Sequence, residues 1–240
     1  IGSNIANIGL VLGLTALIIP LTIDKQRFLD ESPSWLIASL IIVTFSWNNY
    51  LSRTEGFIMV SLLIVYLWRA LRSKEITGAS LEDINLFSKY KRTSFQIGLV
   101  IMGIAMLVIG ANCMVEGATN IARNLGVSEW LIGISIVALG TSLPELTSSI
   151  IAAKKGHGEM AIGNVFGSNI FNILMVIGTV SLIKPLTIDE EIYIDLIYAA
   201  VLTCLLLILI RMGYVIRKRD GIILTILYGS YLGLKGTGLF

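Results

Sequence analysis

The sequence predicts an all-α polytopic membrane protein that is built from two copies of one unit. Hydrophobic residues make up 55% of the 240 residues, charged residues make up only 14%, and the mean hydropathy is +0.83. Roughly a quarter of the residues of a soluble domain are charged, so this composition excludes an ordinary soluble protein. Residues 2–24 recur as residues 167–189, with 15 of 23 positions identical at a constant offset of 165.

Eight apolar segments approach or exceed the length of about 20 residues that a helix needs to cross a bilayer. They cover residues 3–20, 34–51, 56–71, 94–116, 127–153, 159–183, 192–210 and 220–236. If the repeat unit begins near Thr93, the offset places roughly 70 residues of the first copy upstream of Ile1, with room for two further spans. Five spans per copy is an odd number, so the two copies enter the membrane from opposite sides and the repeat is inverted.

These segments give a predicted organisation in three parts. Residues 1–72 are the remainder of the first repeat with three spans, residues 73–93 are a cytoplasmic linker, and residues 94–240 are the second repeat with five spans. With the linker in the cytoplasm, 14 of the 18 basic residues lie inside, which the positive-inside rule favours. The four basic residues left outside are Arg53, Arg123, Lys184 and Lys235.

The segment 127–153 carries polar groups in the middle of an apolar run. Pro144 has no N–H and its ring crowds the carbonyl of Gly140, so we expect the helix to break or kink there. On the helix that resumes, Thr141, Glu145 and either Ser148 or Ser149 share one face. A carboxylate near the bilayer centre costs a few kcal/mol, so Glu145 is expected to have a partner or an ion.

The repeated motif supplies a second set of polar groups. Ser168 and Asn172 are four residues apart, and Ser3 and Asn7 have the same spacing in the first copy. Side chains four apart lie on one face of a helix, and all of these groups are oxygen donors of the kind that hard cations prefer. We therefore predict a Ca²⁺ and Na⁺ site near the bilayer midplane. Its predicted ligands are Glu145, Thr141, Ser142, Ser168, Asn172, Ser3 and Asn7.

Each of these groups also has a purely structural interpretation. Glu145 can complement the dipole of the helix that starts after Pro144, and Thr141 and Ser142 can satisfy backbone groups that Pro144 frees. The Ser and Asn pairs can form interhelical hydrogen bonds, helped by close glycine contacts. The glycine pairs in question are Gly9 with Gly13 and Gly163 with Gly167, and Asn4, Asn164 and Asn169 are expected to hold broken helix ends together.

The chain resembles the sodium/calcium exchangers of the cation/calcium exchanger superfamily, especially their prokaryotic members. The motifs that carry the resemblance are residues 138–145 (ALGTSLPE), residues 163–173 (GNVFGSNIFNI) and residues 2–8 (GSNIANI). The resemblance implies a ten-helix inverted-repeat exchanger fold with one Ca²⁺ site flanked by Na⁺ sites. It also implies that Glu145 is one of two bridging carboxylates and that the first-repeat glutamate lies upstream of Ile1.

The resemblance assigns the remaining ligands as well, and one position departs from it. Thr141, Ser142, Ser168 and Asn172 surround Glu145, with Ser3 and Asn7 as the first-repeat counterparts. Some relatives, including potassium-dependent exchangers, have Asp where this chain has Asn172. The neutral amide weakens an assignment to K⁺-dependent exchange.

The predicted function is a secondary antiporter that exchanges Na⁺ for Ca²⁺ by alternating access and extrudes Ca²⁺. The alternatives are a Ca²⁺/H⁺ antiporter of the same superfamily, because a buried carboxylate can bind protons, and a cation channel or ion-binding membrane protein without coupled transport. We predict no enzymatic activity, because the sequence shows no nucleophile with a nearby base. We also predict no cofactor and no nucleic-acid partner. The expected partners are the two ions and the lipid bilayer, in a prokaryotic plasma membrane.

Overall fold

The computed structural model describes residues 1–72, 93–126, 132, 140 and 142–237. In the first repeat the helices are α1 (Gly2–Ile18), α2 (Lys25–Phe45) and α3 (Arg53–Arg72), with short strands β1 (Leu21–Thr22) and β2 (Tyr50–Leu51). In the second repeat they are α4 (Thr93–Asn124), α5 (Leu143–Lys154), α6 (Gly158–Ile183), α7 (Glu190–Arg211) and α8 (Lys218–Gly236), with β3 (Leu186–Thr187) and β4 (Val215–Ile216). The predicted polytopic all-α fold is confirmed, with these two-residue strands added to it.

The backbone repeats at the same offset of 165 as the sequence. Helix α1 is π-helical over Asn7–Leu12, and α6 is π-helical over Asn172–Ile177. Asn49 and Tyr214, also 165 apart, both have positive φ, 59° and 54°. The sequence repeat is therefore a repeat of backbone geometry. The boundaries of the three predicted parts stay predictions, and residues 73–92 of the predicted linker lie outside the described residues.

Five of the described helices are long and apolar enough to span a membrane, namely α2, α3, the part of α4 from Gly98, α6 and α7. Helix α1 is a shorter apolar helix. The apolar segment 34–51 does not coincide with α2, because the helix begins at Lys25 and ends at Phe45. The Asp24 carboxylate accepts from the backbone N–H groups of Gln26 and Arg27 at 2.8 and 3.1 Å and so starts the helix within a polar stretch that hydropathy does not mark.

The four strands join the two repeats rather than pairing within one. Strand β1 pairs antiparallel with β4, and β2 pairs antiparallel with β3. The carbonyls of the two positive-φ residues extend these ladders, because Tyr214 accepts from Ile23 N–H at 3.0 Å and Asn49 accepts from Ile188 N–H at 2.9 Å. Helix α2 separates β1 from β2, so the two ladders lie at opposite ends of the helical bundle, and equivalent strands of the two repeats face opposite sides.

Close glycine contacts also cross between the repeats. Helix α1 packs against α8, where a Cβ on Gly221 would lie 2.7 Å from the Gly13 carbonyl oxygen. Its equivalent is the packing of α6 on α3, where a Cβ on Gly56 would lie 2.7 Å from the Gly178 carbonyl oxygen. Since no side chain fits at these points, the helix backbones themselves are in contact.

The two glycine pairs that the sequence suggested behave differently. Gly9 and Gly13 both pack against α8, at Tyr228 and Thr225 respectively. Gly163 faces only the guanidinium of Arg27, and nothing lies within 4 Å of a Cβ built on Gly167. The expectation of a close helix contact is therefore wrong for the second pair, because α6 uses Gly178 for its helix crossing instead.

The apolar core lies where the two repeats meet. Trp35 of α2 and Phe166 of α6 are fully buried, and their ring centroids are 4.5 Å apart. Helix α2 packs against both α6 and α7, so a helix of the first repeat is enclosed by helices of the second. Neither repeat therefore has a separate core of its own within the described residues.

A methyl group at Gly56 should destabilise the fold, while one at Gly229 should not. We expect Gly56→Ala to lower stability by about 1–3 kcal/mol through overpacking, because its Cβ would lie 2.7 Å from both the Gly178 oxygen and the Leu182 nitrogen. Gly229 has nothing within 4 Å of a built Cβ, so Gly229→Ala should be neutral or slightly stabilising. Melting temperatures of the purified variants in detergent test this prediction. Equal melting temperatures for the two variants would contradict the close backbone contact between α3 and α6 at Gly56.

Candidate cation site

The two copies of the repeated motif meet and hydrogen-bond to each other. The amide of Asn7 donates from Nδ2 to Oδ1 of Asn169 at 3.0 Å. In the equivalent bond, Asn172 donates from Nδ2 to Oδ1 of Asn4 at 2.9 Å. Each bond therefore connects the second asparagine of one motif to the first asparagine of the other.

The first asparagines of the two motifs also bond reciprocally. Asn4 donates from Nδ2 to the backbone carbonyl of Asn169 at 3.5 Å, and Asn169 donates from Nδ2 to the backbone carbonyl of Asn4 at 3.4 Å. Both residues are buried, with 3% and 0% of their surface exposed. The expectation that these asparagines hold broken helix ends together is wrong, because they connect the two repeats instead. Asn164, which was grouped with them, is exposed.

Four buried side-chain oxygens in this region have no hydrogen-bond partner. They are Oδ1 of Asn7, Oγ of Ser142, Oε2 of Glu145 and Oγ of Ser149. A buried polar atom without a partner costs about 1–3 kcal/mol, so a cluster of them indicates a missing partner. All four are oxygens, which are the atoms that hard cations bind. Three further unpartnered atoms belong to Ser46 at the end of α2, Thr119 of α4 and Tyr228 of α8.

The helix that carries Glu145 lies against both motif helices. Helix α5 packs on α6 and on the π-helical segment of α1, which begins at Asn7. The helix begins at Leu143, with Pro144 in its first turn, as the predicted break requires. Ser142 precedes it as the N-cap, but its side chain makes no capping hydrogen bond. Its hydroxyl therefore does not satisfy the freed backbone, which was the structural alternative for this residue.

The remaining predicted ligands lie at the same junction or beyond the described residues. Ser3 accepts from Nδ2 of Asn172 at 3.3 Å, which draws the second-repeat asparagine toward the first repeat. Ser168 is half-buried on α6, one helical turn before Asn172. Thr141 lies outside the described residues. The structure thus brings Ser3, Asn7 and Asn172 into contact with the other motif, and places Glu145 on the helix that packs beside them.

The sequence allowed either Ser148 or Ser149 on the face of Glu145, and the structure shows that the two serines differ in burial. Ser148 is exposed, and its hydroxyl donates to the backbone carbonyl of Glu145 at 3.0 Å. Ser149 is 1% exposed, and its hydroxyl has no partner. It lies one turn after Glu145, so it belongs to the same oxygen-lined face. The spacing of four residues from Glu145 was the available signal, but Ser149 was not among the seven predicted ligands.

The donor set is dominated by neutral oxygens. The described residues contain no cluster of three or more His, Cys, Asp or Glu side chains that could hold a metal ion. Among the described residues, the predicted ligands are therefore amide and hydroxyl oxygens with one carboxylate, that of Glu145.

Comparison with known proteins identifies the family. The family model described as sodium/calcium exchanger protein matches residues 1–72 and 95–236. The chain belongs to this family. Membership makes it an integral membrane protein of the cation/calcium antiporter class, as the motifs predicted.

Two relatives show how much of a related protein the chain spans. The sodium/calcium exchanger MaX1 of Methanosarcina acetivorans is 30% identical over 270 residues, which cover 97% of this chain and 77% of MaX1. The inner membrane protein YrbG of Escherichia coli is 34% identical over 199 residues, which cover 80% of this chain and 61% of YrbG. The chain thus corresponds to about three quarters of MaX1.

A solved structure of the sodium-calcium exchanger NCX_Mj has the same fold. The crystal soaked with 10 mM Na⁺ and no Ca²⁺ superimposes with a TM-score of 0.79 at 32% identity, covering 97% of this chain and 74% of the other. Further structures of NCX_Mj were obtained with Na⁺ and Ca²⁺ and with Na⁺ and Sr²⁺. The exchanger fold that the resemblance implied is thereby confirmed.

The adjacent serines of α5 provide a matched test of the oxygen cluster. We expect Ser149→Ala to weaken Ca²⁺ binding about three- to tenfold, because it removes a buried oxygen worth about 1 kcal/mol. Ser148→Ala should leave binding unchanged, since that hydroxyl is exposed and bonded to its own helix. Calorimetric titration with Ca²⁺ measures both, and an equal effect of the two substitutions would remove Ser149 from the site.

Proposed function

We propose that this protein exchanges Na⁺ for Ca²⁺ across the membrane by alternating access, and that the inward Na⁺ gradient drives Ca²⁺ out of the cell. The observation that carries the proposal is the buried, unpartnered carboxylate oxygen of Glu145, on a helix that packs against the segment beginning at Asn7, whose oxygen is also unpartnered. An ionisable group inside a membrane helix is costly unless it faces a partner or a transported ion. A cation supplies that partner and at the same time fills the coordination of the neutral oxygens.

The chemistry of the cluster supports Ca²⁺ as one of the two ions. Ca²⁺ takes six to eight oxygens in a flexible arrangement, including carboxylates, amide carbonyls and water. Glu145 supplies the charge in this proposal. The neutral oxygens come from Asn7, Asn172, Ser3, Ser142, Ser149, Ser168 and Thr141. These groups take the place of the hydration shell at the midplane, where broken or widened helices expose polar groups in transporters.

Competition at one site explains how two ions can be coupled. The resemblance makes Glu145 one of two bridging carboxylates, so the proposed site has two negative charges. Two negative charges are balanced by one Ca²⁺ or by two Na⁺. A site that changes its facing side easily only when its charge is balanced then exchanges one ion set for the other.

The hydrogen bonds of Asn172 favour coupling to Na⁺ over coupling to K⁺ or H⁺ at that position. Its amide donates to Oδ1 of Asn4 and to the hydroxyl oxygen of Ser3, and a carboxylate at position 172 has no hydrogen to donate to either. An amide also cannot take up or release a proton at physiological pH. The names of MaX1 and NCX_Mj, both sodium/calcium exchangers, agree with this choice of ions.

Removing the charge of Glu145 should abolish exchange. We expect Glu145→Gln, in the full-length protein, to reduce Ca²⁺ uptake by Na⁺-loaded proteoliposomes at least a hundredfold, because the neutral amide leaves the divalent ion without its counter-charge. Glu190→Gln, an exposed carboxylate in the first turn of α7, serves as the control and should transport normally. Near-normal uptake by Glu145→Gln would reject Glu145 as a ligand.

The remaining alternatives separate by the gradient that drives uptake. Proteoliposomes with a Na⁺ gradient and no pH gradient should accumulate ⁴⁵Ca²⁺, and those with a pH gradient alone should not. The reverse result would identify Ca²⁺/H⁺ exchange at Glu145. Ca²⁺ flux without any counter-ion would identify a channel, and Ca²⁺-dependent stabilisation without flux would identify a binding protein.

A further inference from the structure

We propose that Asn4 and Asn169 are positioning residues, which orient the side chains of Asn172 and Asn7 so that an amide oxygen, and not an N–H, faces the transported ion. The inference rests on the proposed function in one respect, namely that the cluster binds a cation. Asn4 and Asn169 do not contact the ion in this proposal. They act through the asparagine of the other repeat to which each is bonded.

An asparagine is a dependable cation ligand only if its amide cannot turn over. The carboxamide has an oxygen that can coordinate a cation and an NH₂ group that repels one, and a half-turn about its last bond exchanges them. In this protein Nδ2 of Asn7 donates to Oδ1 of Asn169 at 3.0 Å. Since Oδ1 can only accept, the NH₂ group of Asn7 has to face Asn169. Its own oxygen, which is buried and unpartnered, is thereby directed elsewhere.

The first asparagines are themselves fixed by atoms that cannot change role. Nδ2 of Asn4 donates to the backbone carbonyl of Asn169, and Nδ2 of Asn169 donates to the backbone carbonyl of Asn4. A backbone carbonyl accepts and never donates. Each first asparagine therefore turns its NH₂ toward the opposite backbone and its oxygen toward the second asparagine. Two backbone carbonyls thus set the direction of all four amides.

Only an amide can do this at positions 4 and 169. The side chain has to donate to a backbone carbonyl from one atom and accept from an asparagine at another. An ionised Asp cannot donate, an apolar residue can do neither, and Ser has both functions on one oxygen, which cannot replace the separate nitrogen and oxygen of the amide. Both positions are buried, so water cannot replace a lost partner. The two halves of the network are equivalent under the 165-residue repeat, so the same need to orient an asparagine oxygen explains both.

The first experiment measures Ca²⁺ affinity in exchange assays with the full-length protein. We expect Asn169→Ala and Asn4→Ala each to raise the apparent KM for Ca²⁺ about tenfold, with a smaller change in maximal rate, because an amide that turns over presents NH₂ to the ion in part of the population. Asn164→Ala, an exposed asparagine of the same helix α6, is the control and should match the unaltered protein. An unchanged KM in both variants would overturn the proposal.

A second set of variants distinguishes positioning from a contribution to stability alone. In an Asn7→Asp background either carboxylate oxygen can face the ion. The other oxygen then lies against Oδ1 of Asn169, which repels it because neither atom carries a hydrogen. Adding Asn169→Ala to Asn7→Asp should therefore leave Ca²⁺ affinity unchanged or raise it, whereas the same substitution lowers it when residue 7 is Asn. A tenfold loss in both backgrounds would assign Asn169 a structural role only. If Asn169→Ala does not fold, Asn4→Ala with Asn172→Asp gives the same comparison in the other half.

Ca²⁺-dependent melting shifts separate a failure of this inference from a failure of the proposed function. If the unaltered protein shows no Na⁺/Ca²⁺ exchange but is stabilised by Ca²⁺, the function is wrong, and the loss of that stabilisation in Asn169→Ala still supports positioning. If the unaltered protein exchanges the ions normally and the asparagine variants retain its KM and its melting shift, the positioning role is wrong and the function stands.

Discussion

Amide groups buried in a membrane have to find partners in the protein, because the bilayer core offers no water. In this chain the asparagines of two repeated motifs bond to one another, over distances of 2.9–3.5 Å, where the two repeats meet. These hydrogen bonds hold α1 and α6 together at the two motifs and fix the position of one helix along the other. The oxygens that remain without partners lie on α1 and on α5 or directly before it, and the proposed cation site uses them together with Glu145. The same bonds that join the repeats therefore also hold Asn7 and Asn172, two of the proposed ligands, in place.

The two repeats interlock and do not form separate bodies. Strand β1 pairs with β4 and β2 with β3, so each ladder contains one strand of each repeat. Each of the two helix crossings, Gly13 with Gly221 and Gly56 with Gly178, likewise joins a helix of one repeat to a helix of the other. A rotation of one repeat against the other as a rigid unit would break both ladders and both crossings. The alternating access that we propose therefore requires movement of individual elements within the interlocked pair.

The sequence predicted what depends on hydropathy and on the repeat, and it missed what depends on local contacts. The inverted repeat, the position of the helix break before Pro144 and the meeting of the two motifs follow from spacing and polarity. Two-residue strands leave no periodicity to detect, and the start of α2 depends on one capping carboxylate, Asp24. Spacing alone allowed either Ser148 or Ser149, and only the packing of α5 shows which is buried. Thr141, a predicted ligand, lies outside the described residues.

The π-helical segments connect the site to the helix crossings. Each segment begins at the second asparagine of its motif, Asn7 or Asn172, and ends just before the crossing glycine, Gly13 or Gly178. A π-turn adds one residue to a helical turn, and such turns recur at functional sites. The added residue changes which face the following glycine presents relative to the asparagine before it. The asparagine can then point into the cluster while the glycine, on the same helix, meets α8 or α3. In a regular α-helix, the direction of the glycine relative to the asparagine would differ by the rotation of one residue.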